Sequence, residues 1–139
     1  MSALTFRLRE TPPERLDLSG LVPHRIGASS LSDIERLPIG TSRFGVVVAD
    51  IFTVEDGKRD EIRFEGGSPR FDLAGAGLES GRLVVDGDVG QRLGQAMRGG
   101  TIEVTGNAGP FAASAAKGGL VRIAGHADER AGGAVHGAM

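Results

Sequence analysis

Gly81-Arg-Leu-Val-Val-Asp-Gly87 is followed by two altered copies of itself, Gly100-Thr-Ile-Glu-Val-Thr-Gly106 and Gly119-Leu-Val-Arg-Ile-Ala-Gly125, each starting 19 residues after the last. A fixed period of this length is typical of solenoid proteins, in which a repeat buries its apolar face only against its neighbours. The repeat therefore decides the fold class before any local motif is considered.

The apolar residues of one repeat indicate a strand followed by further buried positions. Leu83 and Val85 lie two residues apart, as on the buried face of a strand, and Val89, Leu93 and Met97 continue the apolar series. We predict a mainly β fold, a right-handed parallel β-helix of 19-residue coils with a small mixed N-terminal cap. A left-handed hexapeptide helix is disfavoured because 19 is not a multiple of six, and the ladder of a leucine-rich repeat is absent.

Glycines recur at the coil boundaries and directly after each predicted strand, where a tight bend or a positive φ is expected. These predicted structural glycines are Gly81, Gly87, Gly99, Gly100, Gly106, Gly118, Gly119 and Gly125. Only five of the 23 glycines precede residue 62. We therefore divide the chain into a cap, residues 1–61, and a glycine-repeat array, residues 62–139.

The array is expected to hold about four coils. Ile62 and Phe64 match Leu83 and Val85 at an offset of 21, so the first coil carries two extra residues. The period is still running at Met139, which predicts that the array is truncated there. An open last coil would also promote self-association.

The cap is predicted to begin with a strand over residues 4–9, where apolar residues alternate. A capping box formed by Ser32 and Glu35 is expected to open a short helix. The β-branched stretch 45–54 predicts a second strand that leads into the array.

Composition excludes several classes of function. The net charge of −2 gives no reason to expect nucleic acid or an anionic membrane as a partner. The absence of Cys excludes disulfides and thiolate sites. The N-terminus lacks the apolar core of a signal peptide, and the longest apolar run, 46–49, is far too short to span a bilayer. We expect a cytoplasmic protein.

Two regions carry a family resemblance. The array from Gly81 to Gly109 resembles the glycine-repeat domain shared by glutamate synthase large subunits and the C subunits of formylmethanofuran dehydrogenases. The segments Arg15-Leu-Asp-Leu-Ser-Gly-Leu-Val-Pro23 and Leu31-Ser-Asp-Ile-Glu-Arg-Leu-Pro-Ile39 resemble the opening of these C subunits. Within that family the chain is most similar to the bacterial branch, the C subunits of the formyltransferase/hydrolase complexes of methylotrophs.

The resemblance implies a non-catalytic structural subunit in tetrahydromethanopterin- and methanofuran-linked one-carbon metabolism, where formyl is converted to formate. It implies a formyltransferase subunit and an amidohydrolase-like subunit as partners. It implies no cofactor on this chain alone, with a methanofuran-type polyglutamate carrier in the complex. The archaeal dehydrogenase system, a glutamate-synthase-like structural domain and a stand-alone β-helix enzyme remain alternatives.

No residues stand in a catalytic or metal-binding pattern. The candidate binding residues are Arg98, Lys117 and His136, which recur every 19 residues and would form one basic column. Stacked cations repel, so the column favours an anionic counterpart, either a partner's side chains or the carrier's polyglutamate tail. The alternative is a solvated surface ladder. A second column, Asp88, Asn107 and His126, is best explained by residues that favour tight turns.

Overall fold

The computed structural model describes residues 3–127 and 135–137. The described residues are mainly β, with a mixed sheet of seven strands, a parallel pair and three helices of one turn each. In chain order the elements are β1 (Ala3–Leu8), β2 (Leu16–Asp17), α1 (Pro23–Ile26), α2 (Leu31–Glu35), α3 (Val48–Ile51), β3 (Phe52–Glu55), β4 (Lys58–Glu65), β5 (Phe71–Asp72), β6 (Arg82–Asp86), β7 (Thr101–Val104), β8 (Leu120–Ile123) and β9 (Val135–Gly137).

The large sheet has the order β3-β1-β4-β6-β7-β8-β9, and β2 pairs with β5. Only β1 and β3 are antiparallel; every other neighbouring pair in the large sheet is parallel. The N-terminal strand β1 lies directly beside β4. The predicted cap segment and the first repeat therefore contribute to one sheet.

The strand register follows the 19-residue spacing of the sequence. Leu83 pairs with Ile102, which pairs with Val121, so these strands are offset by 19 residues. Ile62 pairs with Leu83, and Phe64 with Val85, which confirms the two extra residues in the first unit. All of these side chains are fully buried. They form one wall of the core.

Hydrogen bonds also join successive units outside the strands. The backbone N–H of Arg92 donates to the carbonyl of Pro110, and that of Ala96 donates to Ser114, at 2.9 and 2.8 Å. In the opposite direction, the N–H of Ala113 donates to the carbonyl of Leu93. The turns of one unit therefore lie on the turns of the next, just as the strands do.

Close approach restricts all eight predicted structural glycines, because a Cβ at each would lie within 3.0 Å of a neighbouring atom. Gly81, Gly87, Gly100 and Gly119 also have positive φ, whereas Gly99, Gly106, Gly118 and Gly125 do not. A Cβ on Gly106 would lie 2.3 Å from Asp88 Oδ1, and one on Gly125 would lie 2.2 Å from Asn107 Oδ1. These two positions exclude a side chain because the preceding unit occupies the space.

The core changes along the stack of units. Four buried phenylalanines lie near its N-terminal end with neighbouring ring centroids 5.1 to 6.0 Å apart, namely Phe6, Phe52, Phe64 and Phe71. Further along, the equivalents of Val89 and Leu93 are Ala108 and Ala112, which are also buried. The buried side chains therefore become smaller from the aromatic end onward.

Two predictions for the cap need correction. The helix α2 is present, but the capping box of Ser32 and Glu35 is wrong, because the N-cap is Ser30, whose hydroxyl accepts the N–H of Asp33 at 3.1 Å. The predicted strand over 45–54 is wrong in its first part, since 48–51 form α3. The Asp50 carboxylate accepts the N–H of Val47 and stabilises this turn against the β preference of its valines.

Several alanines occupy the left-handed region that normally favours glycine. Gly77, Ala96 and Ala115 are equivalent in three units and have φ of 71°, 57° and 57°. Ala96 is exposed, so replacing it with glycine removes strain without losing packing. We expect Ala96→Gly to raise the free energy of unfolding by about 0.5–1 kcal/mol.

The measurement is urea unfolding followed by circular dichroism. Ala124→Gly is the matched control, because Ala124 is equally exposed but lies outside the positive-φ group. The control should lower stability by about 0.5–1 kcal/mol, since glycine loses more backbone entropy on folding. If Ala96→Gly and Ala124→Gly lowered the free energy of unfolding equally, the backbone at Ala96 would not be strained.

Candidate functional site

The structure brings together two of the three predicted binding residues. Arg98 and Lys117 occupy equivalent positions in successive units, and the backbone N–H of Lys117 donates to the carbonyl of Met97 at 2.8 Å. Both side chains are exposed. Neither takes part in the ion pairs found among residues 3–127. Two cations without a carboxylate partner in that range therefore lie along one edge of the repeat array.

His136 does not continue this column in the structure. It lies in β9, where its backbone is opposite Arg122 rather than Lys117. The cause is the spacing: Val135 pairs with Val121 at an offset of 14, whereas the preceding strands are offset by 19. The predicted placement of His136 above Lys117 is therefore wrong, and its side chain lies outside the described residues. The binding role of the three residues stays a prediction.

The second predicted column has a structural role. Asp88 Oδ1 accepts the backbone N–H of Asn107 at 2.8 Å, and Asn107 Oδ1 accepts the N–H of His126 at 2.7 Å. Each side-chain oxygen therefore satisfies a backbone donor of the following unit. The sequence suggested turn formation, and the structure adds this ladder of hydrogen bonds between units.

An ion-pair network on the outer face of the sheet was not predicted. Arg82 lies between two carboxylates, with its guanidinium nitrogens 3.2 Å from Glu61 and 2.9 Å from Glu103. The hydrogen bond from Arg82, and then the positive charges of Arg82 and Arg122, hold the pKa of Glu103 below its usual value against the opposing effect of burial. The offset of 21 between Ile62 and Leu83 already placed Glu61 opposite Arg82, so the sequence contained a signal for part of this network.

A similar arrangement stabilises the N-terminal side of the sheet. Arg7 on β1 pairs with Glu55 on β3 at 2.6 Å and with Glu65 on β4 at 2.8 Å. The hydrogen bonds that Arg7 donates to these carboxylates, to Glu65 foremost, raise the pKa of Arg7. The charged side chains that the strands bring together therefore connect neighbouring strands to one another.

The described residues were also examined for metal sites and membrane-spanning helices. Within residues 3–127, no group of three His, Asp or Glu side chains is arranged to hold a metal ion. No helix in the described part of the chain has the length and apolar character needed to cross a membrane. Most of the last coil, whose open edge is expected to promote self-association, lies outside the described residues.

Comparison with known proteins agrees with the family resemblance. No protein-family model matches the sequence. The chain is 46% identical over 89 residues, 64% of its length, to the C subunit of the formyltransferase/hydrolase complex Fhc of Methylorubrum extorquens. It spans about a third of that relative, 34% of its length.

The chain is also similar to a solved structure, and this similarity extends over more of its length. The fold superposes with a TM-score of 0.86 and 45% identity on a chain in the crystal structure of the formyltransferase/hydrolase complex FhcABCD from Methylorubrum extorquens, in complex with methylofuran. The match covers 89% of this chain and 47% of that one. The resemblance to the C subunits of formyltransferase/hydrolase complexes is thereby confirmed.

The pKa of Glu103 leads to a test of the outer-face network. Because its folded-state pKa is lowered, its pairing stabilises the fold above the ordinary value of 4.5 and is lost as the pH falls through the folded-state pKa. At pH 7 we expect Glu103→Gln to lower the free energy of unfolding by a few tenths to about 1 kcal/mol. In urea titrations between pH 7 and pH 2.5, the difference from the wild type should shrink below pH 4.5.

Glu79→Gln is the matched control, because Glu79 is exposed and forms no ion pair within residues 3–127. Its stability should follow that of the wild type at every pH. A Glu103→Gln deficit that persists undiminished at pH 2.5 would show that the carboxylate charge is not responsible.

Proposed function

We propose that this chain serves as a non-catalytic structural subunit of a formyltransferase/hydrolase complex in methanofuran- and tetrahydromethanopterin-linked one-carbon metabolism. The observation that carries the proposal is the match of 89% of the chain, at 45% identity and a TM-score of 0.86, to a chain of the complex FhcABCD. The partners would be a formyltransferase subunit and an amidohydrolase-like subunit. Their reactions would take formyl to formate.

The contacts of the charged side chains support a structural role. Arg82 and Arg7 each connect two carboxylates from different strands, and Asp88 and Asn107 satisfy backbone donors of the following unit. Groups used in this way hold the units in register. We infer that the chain presents a stacked surface to its partners while the chemistry takes place on them.

We also infer that the 19-residue units are coils of a right-handed parallel β-helix, capped by residues 1–61. Both the strands and the turns of each unit support this architecture. The strands pair in parallel at an offset of 19, and the turns from Arg92 to Ala96 form hydrogen bonds with the equivalent turns of the next unit. Ala108 and Ala127 form a further parallel bridge at the same offset.

The basic edge supports a finer proposal. Arg98 and Lys117 are exposed, stack in successive units and lack an ion pair within residues 3–127. We propose that these two residues contact an anion, either acidic side chains of a partner subunit or the polyglutamate tail of the carrier. Bringing a carboxylate to this edge would relieve the repulsion between the two stacked cations.

Purification from the host tests the proposed role. The tagged full-length protein should bring down a formyltransferase and an amidohydrolase-like protein in fixed stoichiometry, measured by native mass spectrometry. The purified complex should release formate from a formylated methanofuran-type carrier, and the isolated chain should show no turnover. Turnover by the isolated chain, or a protein recovered without either partner, would contradict the proposal.

Charge reversal tests the basic edge. Arg98→Glu combined with Lys117→Glu should weaken binding of the partner subunits or of an oligoglutamate peptide by about tenfold at low salt, because two attractions become repulsions. The effect should decline at high salt. Affinity would be measured by biolayer interferometry for the subunits and by fluorescence anisotropy for the peptide.

Arg25→Glu combined with Lys58→Glu is the matched control, since these two residues are exposed cations elsewhere and the net charge changes equally. The control should bind like the wild type. If the two double variants behave alike in both assays, the edge has no specific role and the change in net charge explains any loss.

A further inference from the structure

A short loop, residues 41–45, presents an aromatic side chain to solvent. Phe44 is 86% exposed and is the large apolar residue that stands out as exposed among the described residues. Four of the six phenylalanines form the buried cluster in the core, namely Phe6, Phe52, Phe64 and Phe71. A single exposed apolar residue is common on protein surfaces. The exposure of Phe44 is informative only together with the hydrogen bonds that fix the conformation of its loop.

Glu14 holds the residues just before Phe44. One of its carboxylate oxygens accepts the backbone N–H groups of Thr41 and Ser42 at 2.6 and 2.9 Å, and the other accepts the Ser42 hydroxyl at 2.6 Å. The Ser42 hydroxyl in turn accepts the N–H of Phe44 at 3.2 Å. The hydrogen bond from Ser42 is the main reason why the pKa of Glu14 is lowered.

These bonds define the loop conformation before any partner arrives. The Thr41 hydroxyl adds a further bond to the carbonyl of Arg15 at 2.8 Å. A rigid loop loses little conformational entropy on binding, so an aromatic side chain at its tip retains more of the free energy gained by burial. Large apolar anchors of this kind commonly dominate the affinity of protein interfaces.

The neighbouring residue adds charge to the tip. Arg43 is exposed and forms no ion pair within residues 3–127. An exposed cation beside an apolar anchor is complementary to a pocket with a carboxylate at its rim. Arginine at such a rim increases the association rate and orients the partner.

We propose that Phe44 inserts into an apolar pocket of a partner subunit and that Arg43 pairs with a carboxylate at the rim of that pocket. This inference rests on the proposed function, in which the chain assembles with other subunits. The similar chain of 45% identity was solved within a complex of several subunits, FhcABCD, which favours another subunit as the occupant over a second copy of this chain.

The test uses the full-length protein and its purified partner subunits in biolayer interferometry. Phe44→Ala should increase the dissociation rate at least roughly tenfold, since the anchor is lost. Phe44→Met is the conservative control and should restore most of the affinity. The thermal unfolding of both variants should match that of the wild type, because the side chain is exposed.

Arg43→Glu provides a second measurement. It should lower the association rate about tenfold at low salt and leave the dissociation rate closer to that of the wild type, as expected for a charge at the rim of an interface. The difference should diminish at high salt. An unchanged association rate would overturn the assignment of a carboxylate rim.

The outcomes separate this inference from the proposed function. If the wild type binds its partner subunits and Phe44→Ala binds them equally well, the inference is overturned while the structural role stands. If Phe44→Ala instead abolishes dimerisation of the isolated chain, the occupant is a second copy and the partner pocket is wrong. If the wild type binds neither subunit, both proposals are overturned.

Discussion

Backbone hydrogen bonds between equivalent residues of successive units constrain the rest of the structure. They run through the strands, where Leu83 pairs with Ile102, and through the turns, where Arg92 donates to Pro110. Each unit lies about 4.8 Å from the next, the usual separation of paired strands. A side chain that points toward the neighbouring unit therefore has little room. The glycines at 106 and 125 follow from this constraint, since the side-chain oxygen of the preceding unit already occupies the space.

The same constraint determines which polar side chains can form hydrogen bonds or ion pairs between successive units. Residues that lie one unit apart are neighbours in space, so Asp88 reaches the backbone of Asn107, and Arg82 reaches the carboxylate of Glu103. Charges on the outer face thus contribute to register across three adjacent strands. A surface built in this way repeats at regular intervals, which suits extended contact with another protein surface rather than enclosure of a small substrate.

The regular spacing of the repeats made the parallel strands predictable from the sequence. The N-terminal cap was less predictable, because several residues there suit more than one local structure. The offsets of 19 and 21 gave the strands, their register and the buried positions from Ile62 to Val121. The N-cap of α2 was misplaced because Ser30 and Ser32 are both suitable caps, and their residue type alone does not distinguish them. The conformation of the loop before Phe44 could not be predicted, because Thr41 and Ser42 donate hydrogen bonds to Glu14, a residue 27 and 28 positions away in the sequence.

The gradient in core size has a consequence for synthesis. The phenylalanine cluster involves residues up to Phe71, whereas the alanine-lined unit with Ala108 and Ala112 follows later in the chain. Chains emerge from the ribosome N-terminus first, and structural repeats can add to neighbours that are already formed. The aromatic end can therefore fold while the rest is still being translated. Each later unit, which buries smaller side chains, can then pair with a strand edge that has already formed.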